Sequence, residues 1–299
     1  FVLTGSSARK LRRQGINLLA GRALTCRLHP LTAAELGEAF DLHHALRHGL
    51  LPSVGSEPDP ARYLQSYVKT FLDEEIRQEG LARNLSAFAR FLEAAAFSQG
   101  GVLNISEVAR ECAVGRKLVE SHFGLLEDLM IASRLPVFTR RAKRRLSAHP
   151  KFYLFDAGVF TALRARGPLD SAAEIEGAAV ETLMFQNLAA VNDALDLGYK
   201  LHYWRTTAGQ EVDFILYGPR GLIAIEVKRD SRPRPEAFAG LKAFAADYPQ
   251  ARRILAYGGD RHYHADGIEV WPLAGILPRL PAVLQGEGAR NNSPNIINP

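Results

Sequence analysis

Cysteine is nearly missing from this chain: Cys26 and Cys112 are the only two in 299 residues, far apart and outside any C-x-x-C pair. A disulfide framework and a cysteine zinc site are therefore excluded as organising features. No apolar run approaches the about 20 residues that a membrane span needs. A charged-then-apolar leader segment is absent as well. Nothing matches G-x-x-x-x-G-K-[ST], and no hydrophobic run ends in paired acids as a magnesium-binding strand would. The groups that grip a nucleoside triphosphate are missing from these residues. The expectation is a cytoplasmic protein with no membrane partner, unable to hydrolyse ATP by itself.

What is present supports a sizeable core, since 47% of the residues are hydrophobic. Length suggests roughly two domains of ~150 residues each. Lys and Arg number 37 against 32 Asp and Glu, a net charge of +5. That balance permits an anionic partner without demanding one. Phe1 stands where an initiator methionine would, and "FVLTGSS" begins inside what reads as a buried strand. The expectation is a fragment whose upstream part is missing.

Along the chain, "LLPSVGSEPDP" (50–60) has the Pro and Gly density of a linker. Apolar residues recur at helical spacing from Tyr63 to Ser98. Residues 103–147 read as helix–turn–helix-like, followed by an apolar strand or connector in "PKFYLFDAG" (150–158). A helix is expected over Glu174–Ala190, then strands at Lys200–Arg205, Glu211–Leu216 and Leu222–Lys228. A helix at Glu236–Ala246 and strands at Arg253–Tyr257 and Ile268–Trp271 complete the pattern. The tail "GEGARNNSPNIINP" has no periodicity and reads as disordered.

The stretch "EVDFILYGPRGLIAIEVKRD" carries acids and a lysine inside hydrophobic runs, at Asp213, Glu226 and Lys228. Burying such charges is costly unless they are paired, hydrogen-bonded or holding a metal. Strand side chains alternate faces, which puts Glu211 and Asp213 on one side with Val212 and Phe214 opposite, and Glu226 with Lys228. The "YGPRG" turn would pair the two strands antiparallel and bring Asp213 toward Glu226 and Lys228. Two hard carboxylates can hold Mg²⁺ or Mn²⁺, and a lysine beside them can orient water and stabilise charge on a phosphate. The alternative is an ion-pair cluster at a strand edge.

Asp213 and Glu226-Val227-Lys228, after a helix carrying Glu181, resemble the core of the PD-(D/E)XK nuclease superfamily. More closely, "EGAAVETLMFQNL", "YWRTTAGQEVDFIL" and "IAIEVKRD" resemble the C-terminal domain of a prokaryotic AAA-type ATPase family. That similarity extends over nearly the whole chain. The resemblance implies a metal-dependent site of Glu181, Asp213, Glu226 and Lys228, with Asp213 and Glu226 as ligands of Mg²⁺ or Mn²⁺. Val212 stands where the superfamily has proline, a structural convenience rather than a ligand. Within the ATPase family the nuclease-like domain is often not shown to cut anything.

"FVLTGSSARKL" resembles the family's sensor strand, which implies that Thr4 or Ser6 faces a γ-phosphate. "LLAGRALTCRLHPLTAAEL" resembles the segment after it, with Arg22 as the arginine that reaches a neighbouring subunit's phosphate. A helix-terminal cation is the plainer account of Arg22. ATP belongs, on this reading, to the full-length protein, which would form homo-oligomers through its ATPase part.

In "ISEVARECAVGRKLVESHFGLLEDL", Val108, Ala109, Val114, Leu118 and Leu125 take helix–turn–helix core positions. Ser106 is the expected cap of the first helix; Gly115 starts the second, and Ala113 fills the turn position that Gly usually holds. Arg116 and Lys117 would be exposed on the second helix and suit phosphates or guanine edges; Glu120 would repel them. "RLPVFTRRAKRRL" adds Arg140, Arg141, Lys143, Arg144 and Arg145 in a hairpin-like basic wing suited to salt-sensitive phosphate contact. A solvated hairpin or a domain-docking surface would read the same way. His44 and His48 share i, i+4 spacing without an acidic or cysteine partner, and His262 with His264 gives the same picture of a surface cluster. Tyr203 and Trp204 read as core rather than as a base-stacking platform.

The expected fold class is thus α/β multidomain. An ATPase remnant over 1–50 precedes a helical and winged helix–turn–helix domain over 51–148. A PD-(D/E)XK restriction-endonuclease-like α/β domain over 149–284 follows, then a disordered tail over 285–299. The expected function is that of an ATP-regulated, DNA-associated protein with a metal-dependent nuclease-like domain, nucleic acid being the partner and DNA preferred to RNA. A non-catalytic regulatory ATPase that only binds a partner, and a winged-helix transcriptional regulator, are the alternatives.

Overall fold

The computed structural model describes residues 26–78, 85–140, 144–168 and 170–286. Thr4, Ser6, Arg22, Arg141 and Lys143 lie outside the described residues. The protein is mixed α/β and divides into two units. Among the described residues, one comprises 26–30 and those within His43–Val137 and Ser147–Gln186. The other comprises Leu31–Leu42 and those within Phe138–Leu146 and 187–286. No described helix is long and apolar enough to cross a membrane.

The first unit is mainly helical, with helices Pro60–Gln78, Leu85–Phe97, Ile105–Glu111, Arg116–Asp128 and Ala157–Leu163. Strands β1 (Ala132–Leu135) and β2 (Lys151–Leu154) pair antiparallel, with Ala132 opposite Leu154 and Leu135 opposite Lys151. Phe91, Phe123 and Phe152 meet edge to face, at 4.9 Å and 5.0 Å between ring centroids, an arrangement that the ring quadrupoles favour. Leu118 departs from expectation: it is 44% exposed, while its neighbour Val119 is fully buried in the core. The inward stripe of that helix is Val119, His122, Phe123 and Leu126, at the i, i+3, i+4, i+7 spacing of a helix face.

Asn104, not Ser106, caps the Ile105–Glu111 helix, its side chain accepting from the Glu107 N–H at 3.3 Å. Ala113 sits in the left-handed region at φ 54° and closes the turn, as its glycine-like position suggested. The stretch read as a linker is instead packed: Val54 joins Leu64 and Val159 in a small core. The Leu50 N–H donates to Asp156 Oδ2 at 2.8 Å. Asp156 caps the Ala157–Leu163 helix, accepting from the Gly158 and Val159 N–H groups at 2.8 and 3.0 Å. Gly49 abuts that carboxylate and Gly158 abuts the His48 carbonyl, so a Cβ at either place would collide.

The second unit is built on a six-stranded mixed sheet in the order β3-β4-β5-β6-β8-β7. Its strands are β3 (Lys200–Arg205), β4 (Glu211–Gly218), β5 (Gly221–Lys228), β6 (Arg252–Tyr257), β7 (Tyr263–Ala265) and β8 (Ile268–Pro272). β3, β4 and β5 form an antiparallel meander. The helix Ala239–Asp247 then carries the chain over to β6, which lies parallel to β5. Trp204, Leu241, Phe244 and Leu255 lie in one core cluster between that helix and the sheet. Tyr203 and Trp204 are fully buried, as core aromatics.

Period-two alternation fails in the middle of β4. His202 pairs with Ile215, but Trp204 pairs with Val212, so β3 advances two residues while β4 advances three. The extra residue is a β-bulge at Asp213–Phe214. Val212 and Ile215 consequently share one core cluster although they stand three positions apart. Bulges kink the strand and can re-aim a side chain, and Asp213 lies in this one.

Candidate acid–lysine site

β4 and β5 pair in register from Gly218↔Gly221 up to Phe214↔Ile225, and there the ladder ends. Asp213 and Glu226 are the next residue on each strand. Instead of a ladder bond, the Val227 N–H donates to Asp213 Oδ2 at 2.9 Å. A carboxylate thereby closes the ladder, and the bulge supplies the slack that lets it do so. Both acids are buried, Asp213 at 4% and Glu226 at 7% exposure. Lys228 Nζ donates to Glu226 Oε1 at 2.6 Å, its side chain 39% exposed. An ammonium at the rim thus compensates a carboxylate inside. Asp213, Glu226 and Lys228 are brought to one end of the β4–β5 pair.

Glu181, the fourth expected member, belongs to the first unit. It lies on the helix Ala172–Ala194, and the division between units falls inside that helix, after Gln186. Tyr153 OH donates to Glu181 Oε2 at 2.9 Å, and Lys151 Nζ lies 3.7 Å from the same oxygen. Its near neighbours Thr182 and Gln186 bond within that unit too. Gln99 Nε2 donates to Thr182 Oγ1 at 2.6 Å, and the Ala157 N–H donates to Gln186 Oε1 at 2.9 Å. Among the described residues, no group of three or more His, Cys, Asp or Glu side chains is disposed to hold a metal ion.

The basic residues separate into two sets. Arg116 and Lys117 are exposed at the start of the Arg116–Asp128 helix, where Gly115 provides no side-chain cap. Glu120, expected to repel phosphates, is paired with Arg134 at 2.6 Å. The described residues of the segment 138–146, expected to form a wing, instead group with the sheet unit. Phe138 is its anchor, buried with Trp204 and Phe244, and the Phe138 N–H donates to the Tyr203 carbonyl at 2.7 Å. The Arg140 guanidinium lies 4.8 Å from the Tyr217 ring centroid, and the Arg140 carbonyl accepts from Tyr248 OH at 2.8 Å. Arg144 pairs with Asp247 at 3.0 Å and donates to Gln210 Oε1 at 2.8 Å. The Arg145 carbonyl accepts from the Thr207 N–H at 3.0 Å. An aromatic anchor and main-chain bonds hold the described residues of this segment beside β3, an edge strand of the sheet.

Sequence reasoning did not single out Lys151, Tyr153 or Asp156. Their signal was available: "KFYLFDAG" places a lysine and an acid within an apolar run, the same cue that exposed Asp213 and Glu226. The His pairs are ring contacts, His44 with His48 at 5.0 Å and His262 with His264 at 5.6 Å. His262 also stacks on Trp271 at 3.6 Å.

A domain of unknown function, DUF8612, matches residues 39–170, and a second, DUF4143, matches residues 176–276. The second match contains Glu181, Asp213, Glu226 and Lys228. The chain is also similar to Uncharacterized protein Mb2031c of Mycobacterium bovis and Uncharacterized protein Rv2008c of Mycobacterium tuberculosis, 26% identical to each over 289 residues. Those alignments cover 94% of this chain and 62% of each mycobacterial protein. The chain therefore spans less than two thirds of the length of the relatives it matches. No solved structure matches it.

Proposed function

We propose that the sheet unit is a nuclease-like domain acting on nucleic acid, part of an ATP-regulated, DNA-associated protein. The observation that carries this reading is the end of the β4–β5 ladder. There a backbone N–H fixes one buried carboxylate, and the adjacent strand supplies a second carboxylate and a lysine. The helix, three-strand meander, helix, strand order of the unit supports it as well.

The donor set suits a hard divalent cation. Mg²⁺ takes one or two protein carboxylates and completes its shell with water and phosphate oxygens. Asp213 and Glu226 would hold it, and it would supply a water of lowered pKa and offset charge on a phosphate. Glu181 is not required for that fit. The Val227 N–H holds Asp213 in place, while Lys228, reaching outward from Glu226, meets the anionic substrate. Arg116 and Lys117 on the helical unit are the proposed contacts to DNA.

A second reading is favoured by the 2.6 Å Lys228–Glu226 pair itself. That lysine already offsets one of the two acids, as it would in a domain that binds a partner and cuts nothing. One experiment separates the two. Purified protein with Mn²⁺ or Mg²⁺ is expected to nick DNA, and Asp213→Ala to lower the rate by several orders of magnitude while leaving DNA binding nearly intact. Absence of cutting by the wild type would leave the binding reading in its place.

A further inference from the structure

The residues that follow β5 form a surface which the acid–lysine site does not use. Lys228 is followed by "RDSRPRP", so residues 228–235 hold four cations, Lys228, Arg229, Arg232 and Arg234, against the single acid Asp230. Arg229, Arg232 and Arg234 are exposed. We infer that this loop is a phosphate-binding strap, laying Arg232 and Arg234 along the backbone of a nucleic-acid strand at the mouth of the acid–lysine site. This inference rests on the nucleic-acid reading proposed above and adds to it the residues that grip the substrate.

Three features carry it. First, the strap is built into the sheet. The Gly258 N–H, just after β6, donates to the Asp230 carbonyl at 3.1 Å. A Cβ at Gly258 would strike the Arg229 carbonyl, and one at Gly259 would strike the Tyr257 ring. Two consecutive glycines therefore allow the loop to lie against the end of β6. Second, each outer arginine precedes a proline, and the proline ring holds the residue before it extended. Arg234 has φ −82° and ψ 161°, and Pro235 opens the short 3-10 turn that leads into the next helix. The chain is thus kept out of helix until that point, which keeps Arg232 and Arg234 splayed with little backbone freedom left to lose on binding. Third, the strap leaves the carboxyl end of β5, which runs parallel to β6. In open α/β sheets the carboxyl ends of parallel strands are where ligands bind.

Arginine suits the role because its planar fork meets phosphate oxygens in pairs and stays charged at every relevant pH. Phosphate contact of this kind is independent of sequence and weakens steeply with salt. The strap would give affinity, and the acid–lysine site would give whatever chemistry follows.

Fluorescence polarisation with a labelled single-stranded oligonucleotide tests this, in EDTA so that no metal-dependent cutting can intervene. The wild type is expected to bind with strong salt dependence. Arg232→Ser/Arg234→Ser should weaken binding about tenfold or more at low salt and reduce the slope of log K against log salt by about 1.4, two phosphate contacts at ~0.7 each. Arg232→Lys/Arg234→Lys should keep most of that slope. Both pairs lie on an exposed loop, and an unchanged melting curve would show that the fold is intact. Binding that survives the serine substitutions with its slope unaltered would overturn the strap and leave the nucleic-acid reading standing. Failure of the wild type to bind single- or double-stranded DNA or RNA would overturn both.

Discussion

Two glutamate–lysine pairs, one in each unit, are built in opposite senses. In the helical unit Lys151 is the hidden partner, its side chain 3% exposed, and Glu181 reaches toward water at 24%. In the sheet unit Glu226 is the hidden partner, its side chain 9% exposed, and the Lys228 side chain is the outer one at 39%. Their distances differ too, 3.7 Å against 2.6 Å. A buried ammonium fixed by a tyrosine-bound carboxylate holds a fold together, because an ion without its partner in that setting is costly. A buried carboxylate with a half-exposed lysine presents a cation to whatever arrives. The same two residue types thus serve architecture in one unit and presentation in the other, and spacing in the sequence does not distinguish them.

The largest expected effect tests that contrast directly. Glu181→Ala should leave Lys151 buried without this carboxylate and destabilise the protein by about 3 kcal/mol or more, read as a lower urea midpoint. Lys228→Ala also takes the outer partner from a buried ion, so it should cost about 1–3 kcal/mol as well, and it should show a further effect in substrate affinity or cutting that Glu181→Ala lacks. The comparison breaks if Glu181→Ala leaves the urea midpoint unmoved yet abolishes metal-dependent cutting. Glu181 would then belong with Asp213 and Glu226.

These elements also mark how far the sequence could be read. The strands expected at Lys200–Arg205, Glu211–Leu216 and Leu222–Lys228 were legible as apolar runs bounded by turn residues, and they stand at 200–205, 211–218 and 221–228. Asp213 and Glu226 were legible as charges inside such runs. The bulge was not, because one extra residue on β4 is a cross-strand property with no local signature, and it overturned the alternation expected for Val212 and Phe214. Glu181 followed from resemblance, and resemblance says nothing of Lys151 and Tyr153, which lie 30 and 28 residues away in sequence. The C-terminal helices Leu273–Ile276 and Leu280–Gln285 were missed for a different reason. Pro272, Pro278 and Pro281 interrupt the apolar pattern there, yet each stands at a helix start, where a missing N–H costs nothing. Segment 138–146 was read by its charge when its buried Phe138 decided where it lies.

A smaller effect, in the helical unit alone, concerns pH. His122 is enclosed by Phe88 and Phe91, with ring centroids at 4.9 and 5.0 Å, and burial lowers its pKa. In the unfolded chain the imidazole titrates near ~6.5. As pH falls below that value the unfolded state takes up a proton that the folded state still refuses, so stability declines until the lowered folded pKa is reached. His122→Leu should flatten this contribution, making urea stability between neutral and mildly acid pH less pH-dependent than in the wild type. An equal slope in both proteins would mean that His122 is protonated in the folded unit. No corresponding enclosed histidine stands in the acid–lysine site, so this acid sensitivity should belong to the helical unit.

The smallest expected effect concerns the turn of the same helix pair. Ala113 holds φ 54°, and for an L-residue the left-handed region costs about 1–2 kcal/mol through Cβ crowding against the following carbonyl. Its neighbours hold it there: the Ala113 N–H donates to the Arg110 carbonyl at 3.2 Å and the Val114 N–H to the Ala109 carbonyl at 3.0 Å. These bonds end the Ile105–Glu111 helix and turn the chain toward Gly115. Glycine would remove the crowding but would also free the unfolded chain, offsetting about 0.4–1 kcal/mol of the gain. Ala113→Gly should therefore stabilise the protein by about 0.5–1 kcal/mol, visible as a rise in the urea midpoint at constant m-value. Ala113→Val should do the reverse and by more, since a β-branched residue fits that region worst. If glycine lowers the midpoint instead, the Ala113 methyl group contributes packing that its exposed position does not suggest, and the turn would be held by contact rather than by backbone geometry.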